Sequence, residues 1–71
     1  MIGERIKPYV VANGIKQSFL AEKAGVDSPT MSDILNGKRE VKALELYHIS
    51  KALKVPMEYF VEQEIGKGVG A

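Results

Sequence analysis

Ile2, Ile6 and Val10 recur every fourth position, which puts them on one face of a helix. Asn13-Gly14 closes the pattern. Pro8 falls inside it. A proline there removes a backbone donor and crowds the preceding turn, so an irregular first turn is expected. A second helix is predicted from Lys16 to Ala24, with Leu20, Ala21 and Ala24 as its buried stripe and Gly25 as its stop. Val26 follows as an apolar anchor. Asp27 is placed to cap a third helix by accepting the free amides of its first turn. Pro29 lies in that turn, where a missing N–H costs nothing. Met31 and Ile34 form its inner face, Ser28, Thr30, Ser32 and Asp33 its polar one, and Asn36-Gly37 ends it. Residues 38–41 read as a loop. A fourth helix is predicted over residues 42–53, on Leu46, Ile49 and Leu53. Pro56 opens a short fifth helix through Phe60 and Val61. Gly66, Gly68 and Gly70 mark a flexible tail.

No repeat or second unit interrupts this order, so one all-α domain over residues 1–65 and a tail over 66–71 are expected. The chain has 71 residues and no cysteine. A domain so small without disulfides depends on helix packing. With one histidine, a zinc site would need carboxylates almost alone. Ten Lys and Arg against nine Asp and Glu leave a net charge of +1, which is not the profile of a nonspecific nucleic-acid binder. Any basic patch must therefore be local, and Lys38, Arg39 and Lys42 are where one could form. No apolar run approaches the length of a membrane span, and no export signal is recognised, so a cytoplasmic protein is expected.

The stretch from Gln17 to Arg39 is the informative one. Two short helices are joined by Gly25-Val26-Asp27, with the small Ala21 where a second helix must cross closely. Glycine in the turn permits the steep crossing of a helix-turn-helix. Met31 and Ile34 anchor the second helix and leave its N-terminal turn facing outward, as docking into a major groove requires. The run IKQSFLAEKAGVDSPTMSDILNGKR resembles the helix-turn-helix of the phage repressor and Cro-like (XRE) family, and LYHISKALKVPMEYF resembles that family's fourth and fifth helices. The resemblance spans about residues 5–60. Gln17, Leu20-Ala21, Gly25-Val26, Asn36-Gly37-Lys38 and Ala52-Leu53 fall in register.

The resemblance implies a compact five-helix, lambda-repressor-like DNA-binding domain with the helix-turn-helix at helices 2 and 3. It implies a transcriptional regulator of bacterial or phage type, expected to repress by occupying an operator, with no cofactor, metal or reaction. By the same resemblance, Gln17 meets the DNA backbone, near which Lys16, a departure from the family, adds a cation. Ser28, Pro29, Thr30, Ser32 and Asp33 face base edges or flanking phosphates, and Asn36, Gly37, Lys38 and Arg39 meet the next phosphates. Elementary physics agrees: amides at a helix start attract phosphate, and cations make binding salt-sensitive. The base-facing slots, however, hold no Arg, Lys, Gln or Asn, the side chains of strong bidentate base contacts. Asp33 and Glu40 oppose phosphate, and Lys16 replaces the small polar cap usual at that position. Where many relatives pair an arginine late in helix 1 with a glutamate late in helix 3, this chain has Val10 and Leu35, which are expected to pack together.

Apolar residues at helical spacing read as core rather than as cofactor contacts, among them Val26, Val55 and Phe60. His48 reads as a solvated residue. Ser32, Asp33 and His48 do not suit a catalytic triad, because adjacent Ser and Asp on one helix have the wrong geometry. Phe19 occupies a slot that is usually polar. It either leans on Tyr9 or Pro8, the favoured expectation, or anchors a protein partner. Tyr59, Val61 and Ile65 offer an apolar surface for a homodimer, which would set two recognition helices roughly 34 Å apart. Two competing readings keep the fold: a protein-interaction module, and an antitoxin that also binds its own promoter.

Overall fold

The computed structural model describes the backbone of residues 1–69 and the side chains of residues 1–65. Among them it shows five helices and no strand: α1 (Ile2–Ala12), α2 (Gln17–Ala24), α3 (Ser28–Leu35), α4 (Ala43–Leu53) and α5 (Met57–Val69). Among the described residues no helix is long and apolar enough to cross a membrane.

α1 is helical from Ile2 and runs through Pro8, so the irregular first turn does not occur. The amides of a first turn need no helical acceptor. Pro8 is exposed and lies past that first turn, so it removes the bond to the Glu4 carbonyl and crowds that carbonyl, yet the helix continues through it. Gly25 ends α2 in the left-handed region at φ 74°, and the Val26 N–H returns to the Ala21 carbonyl at 3.0 Å. That closure turns the chain sharply and frees Asp27 to cap α3. α5 extends well past Val61, beyond the short helix expected. Part of the reason is Glu64, one turn further on, whose Oε1 accepts from Arg5 Nε at 3.0 Å and ties α5 to α1. The tail expected over 66–71 falls where side chains are not described, and its last two residues lie outside the described residues.

α1 packs on α3 and α5, and α2 packs on α3 and α4. Ile6, Leu20, Met31, Ile34, Ile49 and Phe60 are fully buried at the centre. Val26 and Val55, expected inside, sit half-buried at its edge, because each lies just past a helix end. Val10 and Leu35 are both buried in this one core, and neither side chain stands in solvent. Tyr9 meets the edge of Phe60 with ring centroids 6.1 Å apart and also touches Tyr59, closing the α1–α5 seam. With Tyr9 so engaged, Phe19 is not covered as expected. It is 42% exposed on α2, and the Lys23 ammonium lies 5.5 Å from its ring centroid.

Two further positions inside the fold matter. Ser50 is buried and its hydroxyl has no partner among the described residues. Gly3 is buried where α1 crosses α3. A side-chain carbon there would overlap the Ile34 carbonyl oxygen and come within 2.8 Å of its carbonyl carbon. Only glycine allows the two backbones this approach.

Candidate nucleic-acid interface

The turn from α2 into α3 sets the site. Lys16 flanks α2 in an extended conformation with no side-chain cap. Gln17 Nε2 donates to the Ser28 carbonyl at 3.1 Å, linking the start of α2 to the start of α3. Asp27 Oδ1 accepts the Thr30 N–H at 2.8 Å. The Thr30 hydroxyl and then its amide hold the Asp27 carboxyl below its ordinary pKa, with Arg39 adding to the effect. Ser28, Pro29 and Asp33 are exposed, and Thr30 and Ser32 are half-buried. The outward turn of α3 is therefore short-chained and close to neutral apart from Asp33.

The loop after α3 is more heavily bonded than its composition suggests. Asn36 Nδ2 donates to the Ser32 carbonyl at 2.9 Å, and its Oδ1 accepts from Lys7 Nζ at 2.6 Å. Gly37 adopts φ 75°, which lets the Lys38 N–H reach the Asp33 carbonyl at 2.8 Å. Lys38 is exposed and its ammonium has no partner among the described residues. Arg39 is turned inward: Nη1 and Nη2 donate to Glu45 Oε1 and Oε2 at 3.0 and 3.1 Å. Glu45, only 8% exposed, also accepts the Lys42 N–H at 2.9 Å. Arg39 is the first cause holding the Glu45 carboxyl below its ordinary range.

The expected site residues thus fall into three groups. Gln17 and Ser28 meet directly, as do Ser32 and Asn36. Lys16, Pro29, Asp33 and Lys38 stand exposed, and half-buried Thr30 is bonded to Asp27. Arg39 is engaged with the protein. Sequence reasoning missed Lys7, Glu45 and Gly3. Glu45 carried a signal, standing three residues after Lys42 at capping-box spacing. Lys7 reaches Asn36 across 29 positions, which no local pattern reveals.

Residues 6–60 match the family model of a helix-turn-helix domain. The chain belongs to this helix-turn-helix family. The resemblance to repressor and Cro-like proteins is borne out by that match, as is the five-helix fold. Among its relatives is an uncharacterized transcriptional regulator in the ATPase CF(0) region of Rhodospirillum rubrum, 34% identical over 59 residues, covering 83% of this chain and 55% of that protein. Uncharacterized HTH-type transcriptional regulators of Sinorhizobium medicae and Rhizobium meliloti are each 32% identical over 69 residues, covering 97% of this chain and 50% of theirs. This helix-turn-helix chain spans about half the length of the curated relatives it matches.

Proposed function

We propose that this chain binds double-stranded DNA sequence-specifically and regulates transcription, repressing by operator occupancy as a homodimer. The observation that carries the reading is the outward N-terminal turn of α3, fixed by the Asp27 cap and flanked by the exposed ammonium groups of Lys16 and Lys38. Such a turn offers amides and hydroxyls to a major groove while the cations neutralise phosphate on either side. The relatives named as transcriptional regulators support it. Exposed Tyr59 and Ile65 on α5 supply the apolar surface for two-fold pairing. The reading assigns no reaction, cofactor or metal, and it places the protein in the cytoplasm with DNA.

The test is selection from a random DNA pool, followed by titration of the recovered motif over a range of salt. A partly symmetric motif is expected, with affinity falling as salt rises. Lys38→Ala should reduce the slope of log K against log salt by about 0.9, the loss of one phosphate contact. Folded protein that enriches no motif at low salt would overturn the reading. The interaction module would then take its place, and exposed Phe19 is the observation that favours it.

A further inference from the structure

By the family resemblance, Arg39 in the loop after the recognition helix would be a phosphate ligand. Arg39 does not have the geometry of one. Its side chain is 30% exposed and that of Glu45 11%. Both ends of its fork are bound to Glu45, and Nη1 also lies 3.4 Å from the Glu40 carbonyl. To reach a phosphate, the guanidinium would have to leave Glu45 and strand a nearly buried carboxylate, the costly way to break an ion pair. The charges of Asp27 and Asp33 act on it as well. Arg39 thus pairs directly with Glu45 alone, and Asp27 and Asp33 only add to the attraction that holds it there. Lys38, next in the chain, is the opposite case: its ammonium is exposed, while its backbone is pinned to the Asp33 carbonyl at 2.8 Å.

We infer that Arg39 is a positioning residue: its fork on Glu45 fixes the α3–α4 loop and aims Lys38 and the start of α4 at the DNA backbone. Glu45 completes the device. Its Oε1 accepts the Lys42 N–H while pairing with Arg39, so one carboxylate joins the end of the loop to the first turn of α4. The inference rests on the DNA-binding reading and reverses the role the sequence assigns to Arg39 within it.

A lysine at position 39 keeps the charge but cannot make the bidentate fork, so Arg39→Lys separates the two roles. A phosphate ligand would survive the change with affinity near that of the wild type, whereas a clamp would not. The double variant Arg39→Gln, Glu45→Gln leaves the net charge unaltered and weakens the link. Wild type, Lys38→Ala, Arg39→Lys and the double variant are titrated with a duplex carrying the selected motif, from low to high salt. Each is measured well below its melting temperature, with helicity checked by circular dichroism. Arg39→Lys and the double variant are expected to bind about threefold to tenfold more weakly at every salt concentration, on lines parallel to the wild type, because Lys38 still reaches its phosphate in the complex and only the cost of ordering the loop is added. Lys38→Ala alone is expected to flatten the line, by about 0.9. A purely stabilising role would lower the melting temperature and leave these lines superimposed. Wild-type affinity in Arg39→Lys, or a double-variant slope flattened like that of Lys38→Ala, overturns the inference. If the wild type itself shows no salt-dependent binding, the DNA-binding reading falls first and takes this inference with it, a failure visible before any variant is compared.

Discussion

Gly3→Ala tests the α1–α3 crossing by the sign of its effect. In a solvent-facing helix, replacing glycine by alanine stabilises by about 1 kcal/mol, through propensity and a less free unfolded chain. At Gly3 the new methyl would overlap the Ile34 carbonyl oxygen and lie 3.0 Å from Ile34 Cγ2. The first obstacle is backbone, which cannot rotate away, so α1 and α3 must separate. Overpacking of this kind costs typically 1–3 kcal/mol. Because the obstacle is backbone, the upper part of that range, about 2–3 kcal/mol, applies; less the propensity gain of about 1 kcal/mol, the net expectation is a loss of about 1–2 kcal/mol. In a domain this small, each kcal/mol moves Tm by roughly 4–8 °C, so a fall of about 5–15 °C is expected. Thermal and urea unfolding followed by circular dichroism measure it. The same shift displaces α3, so affinity for the selected motif should fall in protein that is still folded. A variant as stable as the wild type, or more so, would refute the close approach of the two backbones.

Ser50→Ala is expected to stabilise by about 1 kcal/mol, since it removes a buried hydroxyl with no partner and improves helix propensity; urea titration showing a loss would mean that the hydroxyl is satisfied. Phe19→Ser should change stability by less than about 0.5 kcal/mol in the same titration, because the ring is exposed. The carboxyls of Asp27, Glu45 and Glu64 all lie below their ordinary pKa, held there chiefly by Thr30, Arg39 and Arg5. A folded pKa below the unfolded one gives stability that is complete above the ordinary carboxylate range and lost as pH falls through the folded values. Tm should therefore be flat from about pH 7 to 5 and drop below about pH 4, less steeply in Glu45→Gln; an equal Tm at pH 3 and pH 7 would contradict these bonds. Restoring charge with Val10→Arg plus Leu35→Glu should not raise stability, and either change alone should cost about 3–5 kcal/mol by burying an unpaired charge.

Features governed by neighbours in the chain were legible in the sequence. The Asp27 cap, the left-handed Gly25 and the Pro29 first turn depend on a few consecutive residues, and each lies where the pattern put it. Helical periodicity likewise located Leu20, Met31, Ile34 and Ile49 in the core. What stayed hidden depends on tertiary approach. Gly3 read as an ordinary helix residue because nothing local announces that Ile34 will press against it. Phe19 reads as leaning on Tyr9 or Pro8, but Tyr9 faces Phe60 and the Phe19 ring is exposed. Lys38 and Arg39 looked alike as adjacent cations. Only the position of Glu45 in three dimensions separates them.

The crossing at Gly3 also bears on how a duplex would be read. A recognition helix seated by backbone against backbone has no slack through which to slide or tilt toward an imperfect groove. Its outward residues, Ser28, Pro29 and Thr30, are too short to span a gap. In a DNA complex the accommodation then falls on the duplex, which must twist or narrow until phosphates and bases meet a fixed template. Steps that deform easily are favoured over stiff ones, even at positions no side chain touches. On the proposed DNA-binding reading, the close approach at one glycine would then be a source of discrimination, with the shape of the DNA carrying information that the side chains of α3 are too small to read.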